Sequence, residues 1–142
     1  MEIRTFGAVF KTAIALEQHL VRWYDIQSAS QLDTAVQAVY RALSEEGEKR
    51  LKRLERVRRE TVTEMILESI DNLTLSDDLA ALDGIDPATL LSPAEAQTLE
   101  LAVSRFYDEA AGKIGLVEAA RNLRRLSNGR GSSNGMANLT SA

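Results

Sequence analysis

Three glutamates interrupt or border apolar stripes in the helical parts of this sequence: Glu17, Glu46 and Glu100. Glu17 lies in the middle of a stripe that begins at Phe10 and ends at Tyr24, with apolar residues three and four positions on either side of it. A carboxylate on an inward helix face must be paired, protonated, bound to a metal or turned to a wet cavity, because burying it alone is too costly. The groups that meet Glu17 therefore decide what chemistry is possible.

Glu46 is the first group expected near Glu17. It follows Leu43 by three residues, at the start of a stretch, 44–50, that carries no apolar residue. The turn at 28–31 is about equally far along the chain from the two glutamates. An antiparallel helical hairpin would therefore place both carboxylates at a similar height.

Apolar periodicity predicts an all-α chain in which four helices position these groups. The first helix is expected at 5–27, and a long second helix begins near Thr34 and either continues to Asn72 or breaks once on the way. The third begins at Ser92, which combines an N-cap serine with proline at N1 and glutamate at N3. A short fourth helix at 116–126 completes one domain, 1–127. The Gly-, Ser- and Asn-rich segment 128–142 is expected to be a disordered tail.

Composition excludes several function classes. The chain of 142 residues has no cysteine, which removes disulfides, thiolate ligands and a cysteine nucleophile. It has no signal-peptide pattern and no apolar run of 18 residues, so we expect a cytoplasmic protein without a membrane span. The net charge of -4 argues against nucleic acid as the main partner. The single histidine, His19, is two residues from Glu17, so it points away from it and is expected at a surface or interface.

Two segments of the chain echo each other. Leu16-Glu17 is followed by Arg-Trp-Tyr-Asp at 22–25, and Leu99-Glu100 is followed by Arg-Phe-Tyr-Asp at 105–108. In both, the tyrosine lies seven residues after the glutamate, two helical turns away on the same face. A fainter echo relates E-G-E-K-R-L-K-R-L at 46–54 to E-A-A-R-N-L-R-R-L at 118–126.

This pattern resembles the ferritin-like superfamily, and within it the rubrerythrin-type proteins, over about residues 8–126. That family has a glutamate seven residues before a tyrosine on the first and third helices and Glu-x-x-His on the second and fourth, and these groups hold two irons inside a four-helix bundle. The resemblance implies metal ligands at Glu17, Glu46 and Glu100, and more weakly at Glu118. Tyr24 and Tyr107 are expected in the core behind these groups, each with its hydroxyl bonded to a buried carboxylate.

The sequence departs from the family at both histidines. Lys49 stands at the first histidine position and Arg121 at the second, and neither cation can ligate iron at neutral pH. Glu118 lies off its apolar stripe, so we expect Glu118 and Arg121 to form a surface pair. We expect the Lys49 ammonium to lie close to Glu46 or Glu17 and to neutralise them in part.

Three functions remain open. The first is a degenerate ferritin-like protein whose interior carboxylates are neutralised by Lys49 or Arg50, with a structural or partner-binding role, no redox catalysis and no cofactor. The second is a carboxylate site that holds a single iron or manganese ion at low occupancy, with weak oxidase or peroxidase-like activity. The third is nucleic-acid binding through the basic run 49–59, which the interspersed glutamates oppose.

The first of these functions is the one we expect. It includes a homodimer, because a second copy could cover apolar surface that an overlong second helix and a short fourth helix leave exposed. A further protein partner is left open.

Overall fold

The computed structural model describes residues 2–65 and 68–130 of the chain, and the side chains of 2–61 and 68–128 within them. Helices dominate this part of the chain, so the predicted all-α class is confirmed in its broad form, although two short strands depart from it. The elements are β1 (Glu2–Thr5), α1 (Phe6–Ser30), α2 (Thr34–Met65), β2 (Ser69–Thr74), α3 (Asp77–Ala80), a 3-10 turn (Ala81–Gly84), α4 (Pro93–Lys113) and α5 (Val117–Arg130).

The long helices pack as two hairpins. Three residues, 31–33, join α1 to α2, and three more, 114–116, join α4 to α5, so each pair is antiparallel and extensively packed. Helix α5 also contacts α2. The helix starts are fixed locally: the Thr5 hydroxyl accepts a hydrogen bond from the Ala8 amide at 3.1 Å. The predicted capping box of Ser92 and Glu95 is present at the start of α4.

Helix α2 is continuous and ends sooner than the longest predicted helix. It spans 32 residues, which at 1.5 Å per residue is about 48 Å. The predicted extension to Asn72 is wrong, because the chain is already in β2 from Ser69.

The two strands form a small antiparallel sheet that the sequence interpretation missed. Ile3 pairs with Leu73, and one residue of β1, Arg4, faces three residues of β2, 70–72. Asn72 lies within this irregularity and has a positive φ of 59°, a conformation that asparagine tolerates. As a result Ile70 and Leu73 are both buried although they are three residues apart. That spacing is typical of a helix, which explains the wrong assignment.

The predicted disordered tail, 128–142, is only partly covered by the structure. Helix α5 continues to Arg130, beyond the predicted end near residue 126. The remainder, 131–142, lies outside the described residues.

Candidate functional site

The two echoing segments of α1 and α4 meet crosswise in the core. The Tyr24 hydroxyl donates to Glu100 Oε2 at 2.8 Å, and the Tyr107 hydroxyl donates to Glu17 Oε1 at 2.6 Å. Because residue 17 meets residue 107 while residue 24 meets residue 100, α1 and α4 run antiparallel. The seven-residue spacing in each segment therefore lets each tyrosine bond the glutamate of the other helix. The bonds that we predicted from the tyrosines to buried carboxylates are present.

A cation from α2, Arg50, lies between the two buried glutamates. Its Nε is 3.2 Å from Glu17 Oε1 and its Nη2 is 3.7 Å from Glu100 Oε1. The residue exposures of Glu17, Arg50 and Glu100 are 0%, 7% and 4%. Burial of charge is tolerated only where the charges are paired and hydrogen-bonded. The guanidinium and the two tyrosine hydroxyls supply that pairing.

Gly47 makes room for this arrangement. A Cβ added to Gly47 would lie 2.6 Å from Val21 Cγ2, 3.7 Å from Glu17 Oε2 and 3.8 Å from Arg50 Nη2. Glycine therefore permits α2 to approach α1 closely beside the ion pair. The sequence interpretation did not single out this residue.

Glu46 and Lys49 do not enter the core as predicted. Glu46 has a side chain that is 50% exposed, and its Oε2 lies 3.9 Å from Arg50 Nη1, so it stands at the outer edge of the cluster. Lys49 is exposed. We predicted that the Lys49 ammonium lies close to Glu46 or Glu17 and neutralises them in part. The cation that pairs with both is Arg50, the other one considered, because the buried face of α2 passes through Leu43, Gly47 and Arg50.

The other predicted pair lies on the surface. Arg121 Nη1 is 3.3 Å from Glu118 Oε1, and these side chains are 57% and 73% exposed. Glu118 thus takes no part in the buried cluster, in agreement with the surface pair expected from its offset on the apolar stripe.

The residues present do not fit a di-iron centre. Within 2–65 and 68–130, no group of three or more His, Cys, Asp or Glu side chains is placed to hold a metal ion. A guanidinium has five donors and no lone pair to offer a metal, and it already occupies the space between Glu17 and Glu100. No catalytic step through a metal follows from this arrangement.

A second buried polar network holds the connector before α4 against the first hairpin. Trp23 Nε1 and Gln27 Nε2 both donate to the Thr89 carbonyl, at 2.9 and 2.8 Å, and the Leu91 amide donates to Gln27 Oε1 at 3.1 Å. The Tyr40 hydroxyl donates to the Leu91 carbonyl. Burial, aided by the nearby charge of Glu95, raises the pKa of Tyr40 to about 12. Gln27 follows Tyr24 by three residues on the same stripe, so helical spacing could have identified it as a buried polar residue.

His19 lies on α1 away from the ion cluster, as its position in the sequence predicted. Its ring meets that of Trp23 edge to face at a centroid distance of 5.9 Å. Within the described residues its Nε2 is buried and has no hydrogen-bond partner. Burial lowers the pKa of His19, with Asp83 opposing and Arg22 reinforcing that shift.

Comparison of the chain with protein-family models, with curated proteins and with solved structures found no match. Across 2–65 and 68–130, none of the helices combines the length and the apolar character needed to cross a membrane.

Proposed function

We propose that the chain is a ferritin-like four-helix bundle in which an arginine has taken the place of the metal site, and that it serves a structural or partner-binding role without redox catalysis. One observation carries the proposal: the Arg50 guanidinium lies between Glu17 and Glu100. A positive charge at that point offsets the two carboxylates as a metal ion would. It provides no open coordination position and no electron to transfer.

Support for the bundle comes from the crossed pairs. The same glutamate–tyrosine spacing recurs on α1 and α4, and the two copies are joined by reciprocal hydrogen bonds, Tyr24 to Glu100 and Tyr107 to Glu17. Together with the α1–α2 and α4–α5 hairpins, this arrangement is the one expected of four helices around a shared polar centre.

The test is metal binding by the wild type and by Arg50→His. Anaerobic calorimetry with Fe(II) and Mn(II) should show no tight site in the wild type. Arg50→His removes the guanidinium and adds an imidazole ligand, so it should bind either ion more tightly than Arg121→His, a matched change on the surface of α5. Lys49→His, at the family's histidine position, should resemble the wild type because Lys49 is exposed.

One or two tightly bound ions in the wild type would overturn this proposal. That result would favour the carboxylate metal site with oxidase or peroxidase-like activity. Metal analysis of protein produced with added iron gives an independent measurement of the same point.

The homodimer expected from the sequence belongs to the same proposal. Leu32 and Leu90 are 98% and 71% exposed. Leu32 follows Gln31 and Leu90 precedes Leu91, and the Gln31 side-chain Nε2 donates to the Leu91 backbone carbonyl at 3.3 Å. Two neighbouring exposed leucines suit a contact with a second copy. Light scattering of the wild type should report a dimer, and Leu32→Ser with Leu90→Ser should shift it toward the monomer.

A further inference from the structure

A surface pocket beside the buried cluster is lined almost entirely by cations. It has a volume of about 320 Å³ and lies where α5 contacts α2. Its lining residues are Lys49, Arg50 and Arg53 from α2 and Arg125 and Leu126 from α5. Arg50 thus joins two environments, because it is bound to the interior carboxylates and also forms part of this pocket.

The outer cations of this pocket differ in their ion pairing from Arg50 at its inner side. Within the described residues, Lys49, Arg53 and Arg125 form no ion pair, whereas Arg4, Arg50 and Arg121 do. Local sequence explains the difference for two of them. The positions three and four residues from Arg53 hold Lys49, Arg50, Arg56 and Val57, and those around Arg125 hold Arg121, Asn122, Asn128 and Gly129. No carboxylate is available one helical turn away from either arginine.

This grouping of like charges is unfavourable until an anion enters. Lys49 and Arg53 are four residues apart on one helix, a spacing at which like charges destabilise the helix. Arg125 brings a third charge, from α5, that forms no ion pair among the described residues. An anion in the pocket would offset all three charges at once, and the volume exceeds what a bare oxyanion needs.

We propose that this pocket binds a phosphoryl group, either free phosphate or the phosphate of a small phosphomonoester. Arginine forks match phosphate oxygens in two-point hydrogen bonds, and lysine adds a point charge. The pocket offers two uncompensated arginines and one lysine from two helices around one cavity. This inference gives a ligand class to the binding role proposed above, and it stands or falls separately from the question of metal in the core.

An extended nucleic acid fits the surface less well than a single phosphoryl group. Glu45, Glu48, Glu55 and Glu60 are interspersed along the same helix, and the chain as a whole carries a net charge of -4. A long polyanion would meet these carboxylates, whereas one phosphoryl group would contact only the pocket.

The experiment is a titration of the full chain followed by NMR chemical shifts at constant ionic strength. The probes are inorganic phosphate and glycerol phosphate, with chloride as the reference anion. We expect saturable shifts at Lys49, Arg53 and Arg125 with either phosphate, and tighter binding of the ester if the extra volume holds its organic part.

Matched variants separate a site from general positive charge. Arg125→Gln should weaken phosphate binding about tenfold, the loss expected for one charge-assisted hydrogen bond. Arg124→Gln removes the same charge one residue away, outside the pocket, and should change the affinity less than about twofold. Lys49→Gln and Lys52→Gln form a second matched pair on α2.

Three outcomes would overturn the proposal. Shifts that rise linearly without saturation would show an ion atmosphere and no site. Equal losses from Arg125→Gln and Arg124→Gln would show that net charge alone is responsible. Binding of a DNA duplex without binding of either phosphate probe would assign the surface to nucleic acid.

Discussion

Arg50 and Arg121 each pair with a glutamate about one helical turn away, yet their surroundings differ completely. Arg121 is closer to its partner Glu118, at 3.3 Å, than Arg50 is to Glu46, at 3.9 Å. However, Arg121 and Glu118 are both mostly exposed, while Arg50 is buried and also contacts Glu17 and Glu100. Arg50 Nε is 3.2 Å from Glu17 Oε1, almost the same distance as in the surface pair, so distance does not explain why the two arginines differ in importance.

The reason is the solvent. Water screens an exposed pair so effectively that its net stabilisation is about 0–1 kcal/mol. A buried arginine is instead needed to offset charges that water cannot reach, so its removal leaves those charges uncompensated. Position on the helix therefore decides the role of each arginine. Five predictions follow, from the largest expected effect to the smallest.

Arg50→Ala should lower the free energy of unfolding by about 3–5 kcal/mol, since it leaves Glu17 and Glu100 buried without their cation. Arg121→Ala, the matched control, should change it by at most about 1 kcal/mol. Urea denaturation of both variants measures the difference. Equal effects would mean that the buried cluster is no more important to stability than the surface pair.

A combined variant separates lost charge from lost packing. Arg50→Met together with Glu17→Gln and Glu100→Gln removes the charges while keeping most of the side-chain volume. It should recover much of the stability lost in Arg50→Ala. If it is as unstable as Arg50→Ala, the guanidinium acts through shape and not through charge.

Tyr107→Phe and Tyr24→Phe should each destabilise by about 1–3 kcal/mol, because each leaves a buried carboxylate oxygen without its phenolic donor. Tyr40→Phe is the control: its hydroxyl donates to a neutral carbonyl, and hydrogen bonds to ionised acceptors are the stronger kind. The double variant of Tyr24 and Tyr107 should depart from additivity, since both bonds end on carboxylates that share Arg50. Losses no greater than that of Tyr40→Phe would contradict the prediction.

Gly47→Ala should destabilise by about 1 kcal/mol. Overpacking against Val21, which costs about 1–3 kcal/mol, outweighs the gain of about 1 kcal/mol from better helix propensity. Gly112→Ala in α4 has nothing within 4 Å of the added Cβ and should stabilise by about 0.5–1 kcal/mol. Thermal denaturation of the two variants should therefore give shifts of opposite sign. Stabilisation by both would show that the close approach of α2 to α1 is not needed.

His19 gives the smallest effect and the only one set by pH. Its pKa is lowered in the folded state from the ordinary value of 6.5, so below that pH the unfolded chain binds the proton more readily. The free energy of unfolding should therefore fall as the pH drops below 6.5. In His19→Gln this part of the loss should be absent. Parallel slopes for the wild type and His19→Gln between pH 7 and 5.5 would contradict the assignment.

The helices could be predicted because their starts and buried faces are local features of the sequence. Ser92 and Glu95 cap α4 through contacts within one turn, and the stripe around Glu17 repeats at helical spacing. The sheet could not be predicted, because β1 is paired with a segment about 70 residues away. The positive φ of Asn72 also gives Ile70 and Leu73 a spacing that is indistinguishable from a helix.

The candidate site was predicted on α1 and α4 and misplaced on α2. Glu17 and Glu100 are fixed by a repeat in the sequence. On α2 the apolar residues stop after Leu43 and resume at Leu51 and Leu54, so the inward positions between them had to be inferred. Continuing the four-then-three spacing from Leu43 gives Gly47 and Arg50, not Glu46 and Lys49. The family pattern favoured Glu46 and Lys49 as the inward residues, whereas the packing of α2 on α1 places Gly47 and Arg50 there.

The pairing of β1 with β2 also has a consequence for the order of folding. Glu2 pairs with Thr74, so forming the ladder from an open chain would close a loop of about 70 residues, which costs about 4 kcal/mol in chain entropy before any contact is gained. The α1–α2 hairpin needs only a three-residue turn and can form much sooner. Once formed, it replaces most of that open loop with rigid structure. The strands should therefore pair late, with hydrogen-exchange protection of Ile3 and Leu73 following that of α1 in a pulse-labelled refolding experiment.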